Sequence, residues 1–289
     1  MTWQTLLILY LVLNTISYIL QRKLGASLAK HKRLVAGFFF VVVHYPLGLV
    51  VAFMDHPDLR ISWVNIIALL VGSWIFPVIN ILYLKASKHL DAGRFTVLSN
   101  LTPIVTIVAA TLLLGERLTG MQLLGASTII ASAFIVTLTH ARKRGQVSQQ
   151  GVTVAILAFM LAGLATVYER WMLGQMDLGT YIVFGWGAQT LWMLVLAWPE
   201  RKSLGVLKKK KYLIPISSFA LTSATKGILF LAALQLSGNA SVFGAFASFT
   251  AIMVVPAAYF LLKERRSMRL KVTAAVIGTI GLIILNTAH

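Results

Sequence analysis

The 289-residue sequence predicts an all-α integral membrane protein with ten transmembrane helices arranged as a 5+5 inverted repeat. Three observations carry that expectation: a strongly apolar composition, ten apolar windows of bilayer length, and a motif that returns 148 residues later. Apolar residues make up 58% of the chain and charged residues 12%, against roughly 45–50% and 25% for a soluble domain. The windows cover about 3–20, 34–54, 62–85, 92–114, 119–139, 151–173, 179–198, 212–236, 240–262 and 268–287. A hydrocarbon core about 30 Å thick needs about 20 helical residues. In lipid every backbone donor must be paired internally, so segments of this length are helices. The polar connections are too short to hold a soluble domain.

Each span has its own signature. Span one is followed, not preceded, by Arg22 and Lys23, the reverse of a signal peptide, and Asn14, Thr15 and Tyr18 mark one of its faces. Span two carries His44 at mid-depth, ahead of Tyr45 and Pro46. Span three holds Pro77 and Asn80, and span four holds Ser99, Asn100 and Thr102 before Pro103. With Pro256 in span nine, these prolines each free a carbonyl and bend a helix. Span five follows a glycine-containing turn. Span six has Glu169 four residues from its end at Leu173. Span seven has Trp186, Gln189 and Trp192 near its middle, whereas Trp3, Trp63, Trp171 and Trp198 fit an aromatic belt. Span eight contains Lys226, and Ala274, Gly278 and Gly281 give span ten a smooth face for close packing.

The net charge of +18 would suggest nucleic acid in a soluble protein, but its placement argues otherwise. When connections are sorted alternately to two sides, 22 of the 26 basic residues fall between odd and even spans. The opposite side has Arg60, Arg117 and Arg170, and Lys226 is intramembrane. Excess Lys and Arg marks the cytoplasmic side, so both termini are expected to be extracytoplasmic, most simply in a bacterial inner membrane. The run Lys208, Lys209, Lys210, Lys211 fits a topology determinant or, alternatively, a contact with anionic lipid. No nucleic-acid partner is expected, and monomer and homodimer both remain open.

The repeat is legible in residues. Segment 112–136 contains LGERL (Leu114–Leu118) and LGA (Leu124–Ala126). Segment 260–284 contains KER around Glu264, and 7 of 25 aligned positions agree. ILYLKA (81–86) returns as ILFLAA (228–233). Division near Gly145 gives halves 1–145 and 146–289 with five spans each. Because five is odd, the second half enters the membrane from the other side, the architecture of secondary transporters that work by alternating access.

The LGERL…LGA segment and its KER echo resemble the drug/metabolite transporter superfamily, and within it the EamA-type ten-helix permeases. That resemblance implies a 5+5 inverted repeat and a central cavity built by spans one to four and six to nine. It also implies small metabolites, amino acids or drugs as substrates. Two departures are visible. Family members generally keep both termini cytoplasmic, and Lys263 replaces the glycine of the first LGER.

Polar residues deep in lipid are the binding candidates. Lys226 lies 14 residues from Tyr212, about 21 Å at about 1.5 Å per residue. It would anchor a carboxylate or phosphate of the substrate, or else pair with a buried polar group. His44, Asn14, Tyr18, Asn80 and Asn100 would supply hydrogen bonds, and Trp186 would contact the apolar part of a solute. For several of these the competing role is inter-helix bonding. Glu169 and His44 are the candidates for proton coupling, although Glu169 also reads as an interfacial acid beside Arg170. Glu116 and Glu264 fall at turns, where capping the next helix or neutralising the nearby arginine is expected.

The chain has no cysteine and no GxxxxGK[ST] phosphate loop, so neither thiolate chemistry nor an ATP-driven pump is expected. No cofactor, metal site or catalytic residue is expected either. The four aspartates lie near loops and the histidines are scattered, which disfavours an intramembrane enzyme. A non-transporting receptor or scaffold is the alternative to a transporter of a small polar solute.

Overall fold

In the computed structural model of this protein the described residues are 2–27, 31–54, 56–90, 95, 98–141, 149–207, 209–247, 249–250, 253–254, 257, 273, 276–281 and 283–284. Among them there is helix and no strand. We number the helices α1 (Trp3–Ser27), α2 (Arg33–Met54), α3 (Trp63–His89), α4 (Leu101–Leu113), α5 (Gly120–Ala141), α6 (Gln149–Leu173), α7 (Leu178–Gly205), α8 (Lys210–Ser237) and α9 (Ala240–Ala247). Six of them, α1, α2, α3, α6, α7 and α8, are long and apolar enough to cross a membrane. Leu, Ile and Val side chains such as Ile8, Val50, Ile67, Leu112 and Leu221 lie on the outer surface, as expected where the solvent is lipid. Lys208, Pro256, Glu264, Ala274 and the junction at Gly145 lie outside the described residues, as do parts of spans nine and ten.

The chain forms two compact units: Met1–Lys88 with Tyr168–Leu236, and His89–Val167 with Ser237–His289. The first unit contains α1, α2, α3, the end of α6, α7 and α8. Its core gathers Leu24, Val35, Phe39, Phe40, Leu84, Met193, Ile216 and Phe219. Polar groups join its helices. Ser17 and Ser223 share a 2.8 Å hydrogen bond between α1 and α8, Tyr168 Oη donates to the Ala68 carbonyl at 3.0 Å, and Trp192 Nε1 donates to the Leu70 carbonyl at 2.7 Å. Glu200, in the 3₁₀ segment that ends α7, accepts from the Leu34 N–H. It also lies 4.0 Å from Arg33, at a helix N-terminus that favours an acid.

Proline and glycine explain the irregular stretches. Pro46 has no N–H to offer the Val42 carbonyl, and the ladder widens into a π-helical stretch over Phe39–His44 just before it. α3 is interrupted at Ser73–Trp74, four residues before Pro77. Gly72 is required at that break, because a Cβ there would lie 2.2 Å from the Tyr168 ring. α7 carries a second π stretch, Ile182–Trp186.

In the second unit, α4 restarts after a turn at Asn100, with Pro103 in its first helical turn, where a missing N–H costs least. Thr102 and Thr106 donate to the Phe159 and Gly163 carbonyls of α6 at 3.1 and 3.3 Å. Gly115 takes a left-handed φ of +67°. The adjacent Glu116 then caps α9: its carboxylate accepts the N–H groups of Ala240 and Ser241, each at 2.9 Å, and the Ser241 hydroxyl at 3.0 Å. The expected capping role therefore holds for Glu116, but its helix is 124 residues away rather than the next one.

Candidate functional site

A cavity of about 180 Å³ lies within the first unit. A single water needs about 10–15 Å³ of such space, so the room is that of a small solute. The lining comes from α1, α2, α3, α6, α7 and α8. The polar members are Tyr18, Gln21, His44, Asn80, Glu169, Gln189, Ser223 and Lys226, and the walls between them are mostly aromatic, with Phe39, Phe40, Phe76, Tyr83, Trp186, Phe219 and Phe230.

α1 presents Tyr10, Asn14 and Tyr18 at a spacing of four, which stacks them along one face. Lys226 Nζ donates to Asn14 Oδ1 at 2.8 Å, and Asn14 Nδ2 donates to Tyr10 Oη at 3.2 Å. The ammonium also lies 5.9 Å from the centre of the Tyr18 ring, within reach of its π face. Asn14 is not part of the lining. It holds Lys226, leaving further donors of the ammonium for a ligand. Thr15, read with the same face, donates to the carbonyl of its own helix at Leu11 instead.

His44 ends the π stretch of α2 and Trp186 ends that of α7. Their rings stack with centroids 3.6 Å apart and planes 23° apart. Phe40 presents an edge to the imidazole at 5.2 Å. Among the described residues neither ring nitrogen of His44 has a hydrogen-bond partner, so the carbonyl freed by Pro46 does not occupy it. Gly48 makes the stack possible, since a Cβ there would lie 2.5 Å from Trp186 Cε3.

Glu169 is 8% exposed and belongs to the cavity wall, which differs from the interfacial position its distance from Leu173 suggests. Among the described residues no ion pair joins it to Lys226, the other charged side chain of the lining. Asn80 lines the cavity and donates to the Phe76 carbonyl one turn back at 3.0 Å. Asn100 is buried in the second unit and is not part of the lining. The structure thus brings together Lys226, His44, Tyr18, Asn80, Trp186 and Glu169, with Asn14 behind Lys226, and leaves Asn100 out. Sequence reasoning assigned no binding role to Gln21, Gln189 or Ser223, and it missed the phenylalanine walls. The mid-span position of Gln189 was the one available signal for that group. No cluster of three metal-ligating side chains occurs among the described residues.

Comparison with known proteins bears on what such a cavity serves. No curated protein matches the chain. One solved structure, described only as the crystal structure of a protein, is similar over 97% of this chain and 99% of its own. Its TM-score is 0.68 at 14% identity, a likeness of fold. Residues 1–138 match the EamA-like transporter family. That match covers the segment that carries LGERL and three cavity-forming helices, a little under half of the chain.

Proposed function

We propose that the protein is a secondary transporter that moves a small, polar organic solute with an anionic group across a bacterial inner membrane by alternating access. The observation that carries this reading is Lys226, an ammonium at mid-depth of a membrane helix, oriented by Asn14 and facing a cavity of solute size. A lysine so placed is costly in lipid, by about 2.5–3.5 kcal/mol on insertion scales, and an anionic solute offsets that cost each time it binds. The aromatic walls would take the apolar part of a metabolite, amino acid or drug-like molecule, while Tyr18, His44 and Asn80 would supply polar contacts. Glu169 and His44 are the groups through which protons would couple to flux.

The reading extends to the chain as a 5+5 inverted repeat with halves 1–145 and 146–289. The cavity draws on both halves, from Tyr18 to Tyr83 in the first and from Glu169 to Leu231 in the second. The basic connections would face the cytoplasm and both termini the outside. The purified protein in liposomes should transport organic anions, and Lys226→Ala should lower that flux by at least tenfold while the protein remains folded. Flux unchanged in Lys226→Ala would remove the anchor on which the reading rests.

A further inference from the structure

Lys226 and Glu169 are the charged side chains of the cavity lining. Their helices, α8 and α6, run in the same direction, because α7 crosses back between them. Lys226 lies 11 residues before the end of α8 at Ser237, and Glu169 lies four before the end of α6 at Leu173. That difference of seven residues is about 10 Å at about 1.5 Å per residue. Asn14, which accepts from the Lys226 ammonium at 2.8 Å, is as deep, 11 residues from Trp3. The bond therefore keeps the ammonium at its own level rather than drawing it towards Glu169.

Among the described residues the Glu169 carboxylate has no hydrogen bond or ion pair. Its oxygens are not among the sealed polar atoms of the structure. Glu169 is more than nine-tenths buried and lines the cavity, so its remaining surface opens there. Arg170, the next residue, lies about 100° further around the helix. A buried charge without a partner is costly. A plain anion held by Lys226 gives Glu169 no relief, since like charges repel. A cation carried by the same cargo does.

We propose that Glu169 is a cation subsite of this cavity, taking the ammonium group of a zwitterionic cargo whose carboxylate is held by Lys226, with the two charges several bonds apart. The inference rests on the reading of the cavity as the transport site. Two charge-assisted hydrogen bonds of about 2.8 Å leave about 4 Å of the axial separation for the cargo to bridge between its own charges. That exceeds the spacing in a 2-amino acid and fits an amino group two or three carbons further along the chain. The aromatic rings of the lining add attraction for the cation. Once the cargo has left, the carboxylate is free to take up a proton.

The test uses the full-length protein and two sets of probes: butyrate, 2-aminobutyrate and 4-aminobutyrate, then pentanoate, 2-aminopentanoate and 5-aminopentanoate. Binding is measured by thermal stabilisation and by competition for flux in liposomes. In the wild type the terminal amino acid of at least one set should bind about tenfold more tightly than its plain acid and its 2-amino isomer, the worth of one hydrogen bond to a charged group. In Glu169→Gln, which keeps the shape and removes the charge, that preference should fall to about threefold or less. Binding of the plain acid should stay level or tighten. Glu169→Asp, which keeps the charge on a shorter arm, should retain part of the preference. A wild type that binds the plain acid or the 2-amino isomer as tightly as the terminal amino acid would overturn the proposal, and so would a preference that survives in Glu169→Gln. In either case, plain-acid flux that is lost in Lys226→Ala would leave the transport reading standing. Binding of none of the six probes would overturn both.

Discussion

Lys226 and Glu116 show how differently two charged side chains can be used in one membrane protein. Lys226 lines the cavity and makes one hydrogen bond, to Asn14. Glu116 is committed to structure, with three hydrogen bonds to the first turn of α9. A carboxylate accepting backbone N–H groups contributes about 1.5–3 kcal/mol per bond to a charged group. Glu116→Ala should therefore lower unfolding stability by about 2 kcal/mol or more, and Glu116→Gln by less, as measured by denaturation of the purified protein in detergent. An unchanged transition in Glu116→Ala would refute the cap.

The sequence makes the site partly readable. Lys226, His44, Trp186 and Asn80 stand out because each is polar or amphipathic at a depth where lipid penalises such groups. The partner of Glu116 was not readable, because nothing local links a turn after span four to a helix start beyond span eight. Asn14 was expected to touch substrate. It accepts from Lys226, 212 residues away, a contact that depth in the bilayer does not reveal.

Among the helices, α2 and α7 are irregular where they bring His44 and Trp186 together. Each changes from π to α geometry at the residue that stacks on the other, His44 or Trp186. Pro46 gives a reason for the first change. The second has no proline within it or in the turn that follows. Apolar periodicity inside lipid is too weak to reveal an inserted residue, so the windows at 34–54 and 179–198 read as plain helices. The phenylalanine walls were hidden for a related reason, since Phe39, Phe40, Phe76 and Phe219 look the same in sequence whether they face lipid, core or cavity.

Gly48 is the sharpest probe of this pairing. Its Cβ would lie 2.5 Å from Cε3 and 2.7 Å from Cζ3 of a buried, stacked Trp186, a ring with little freedom to yield. Overpacking of this kind costs about 1–3 kcal/mol. Gly48→Ala should show that loss in thermal unfolding together with a drop in flux, and wild-type values for both would mean that the stack is dispensable.

At the level of the chain, the helical class and the membrane setting followed from composition, and six spans of sufficient length are present among the described residues. The proposed orientation depends on charge: 22 of 26 basic residues would lie on the cytoplasmic side. Turning the protein over would place them outside, against the usual bias. A cysteine introduced at Gln146, which lies outside the described residues, should react with an impermeant thiol reagent only from the cytoplasmic face. Reaction from the external face would reverse the assignment.

Alternating access can be tested in the same chemistry because the native chain has no cysteine. Ser223 lines the cavity and bonds to Ser17, and Ser223→Cys is a small change there. If this cavity is the transport site, that single position should react with an impermeant thiol reagent from either side of sealed vesicles, be protected by a transported anion, and lose flux on modification. Reaction from one side alone under every condition, with flux preserved after modification, would contradict the account.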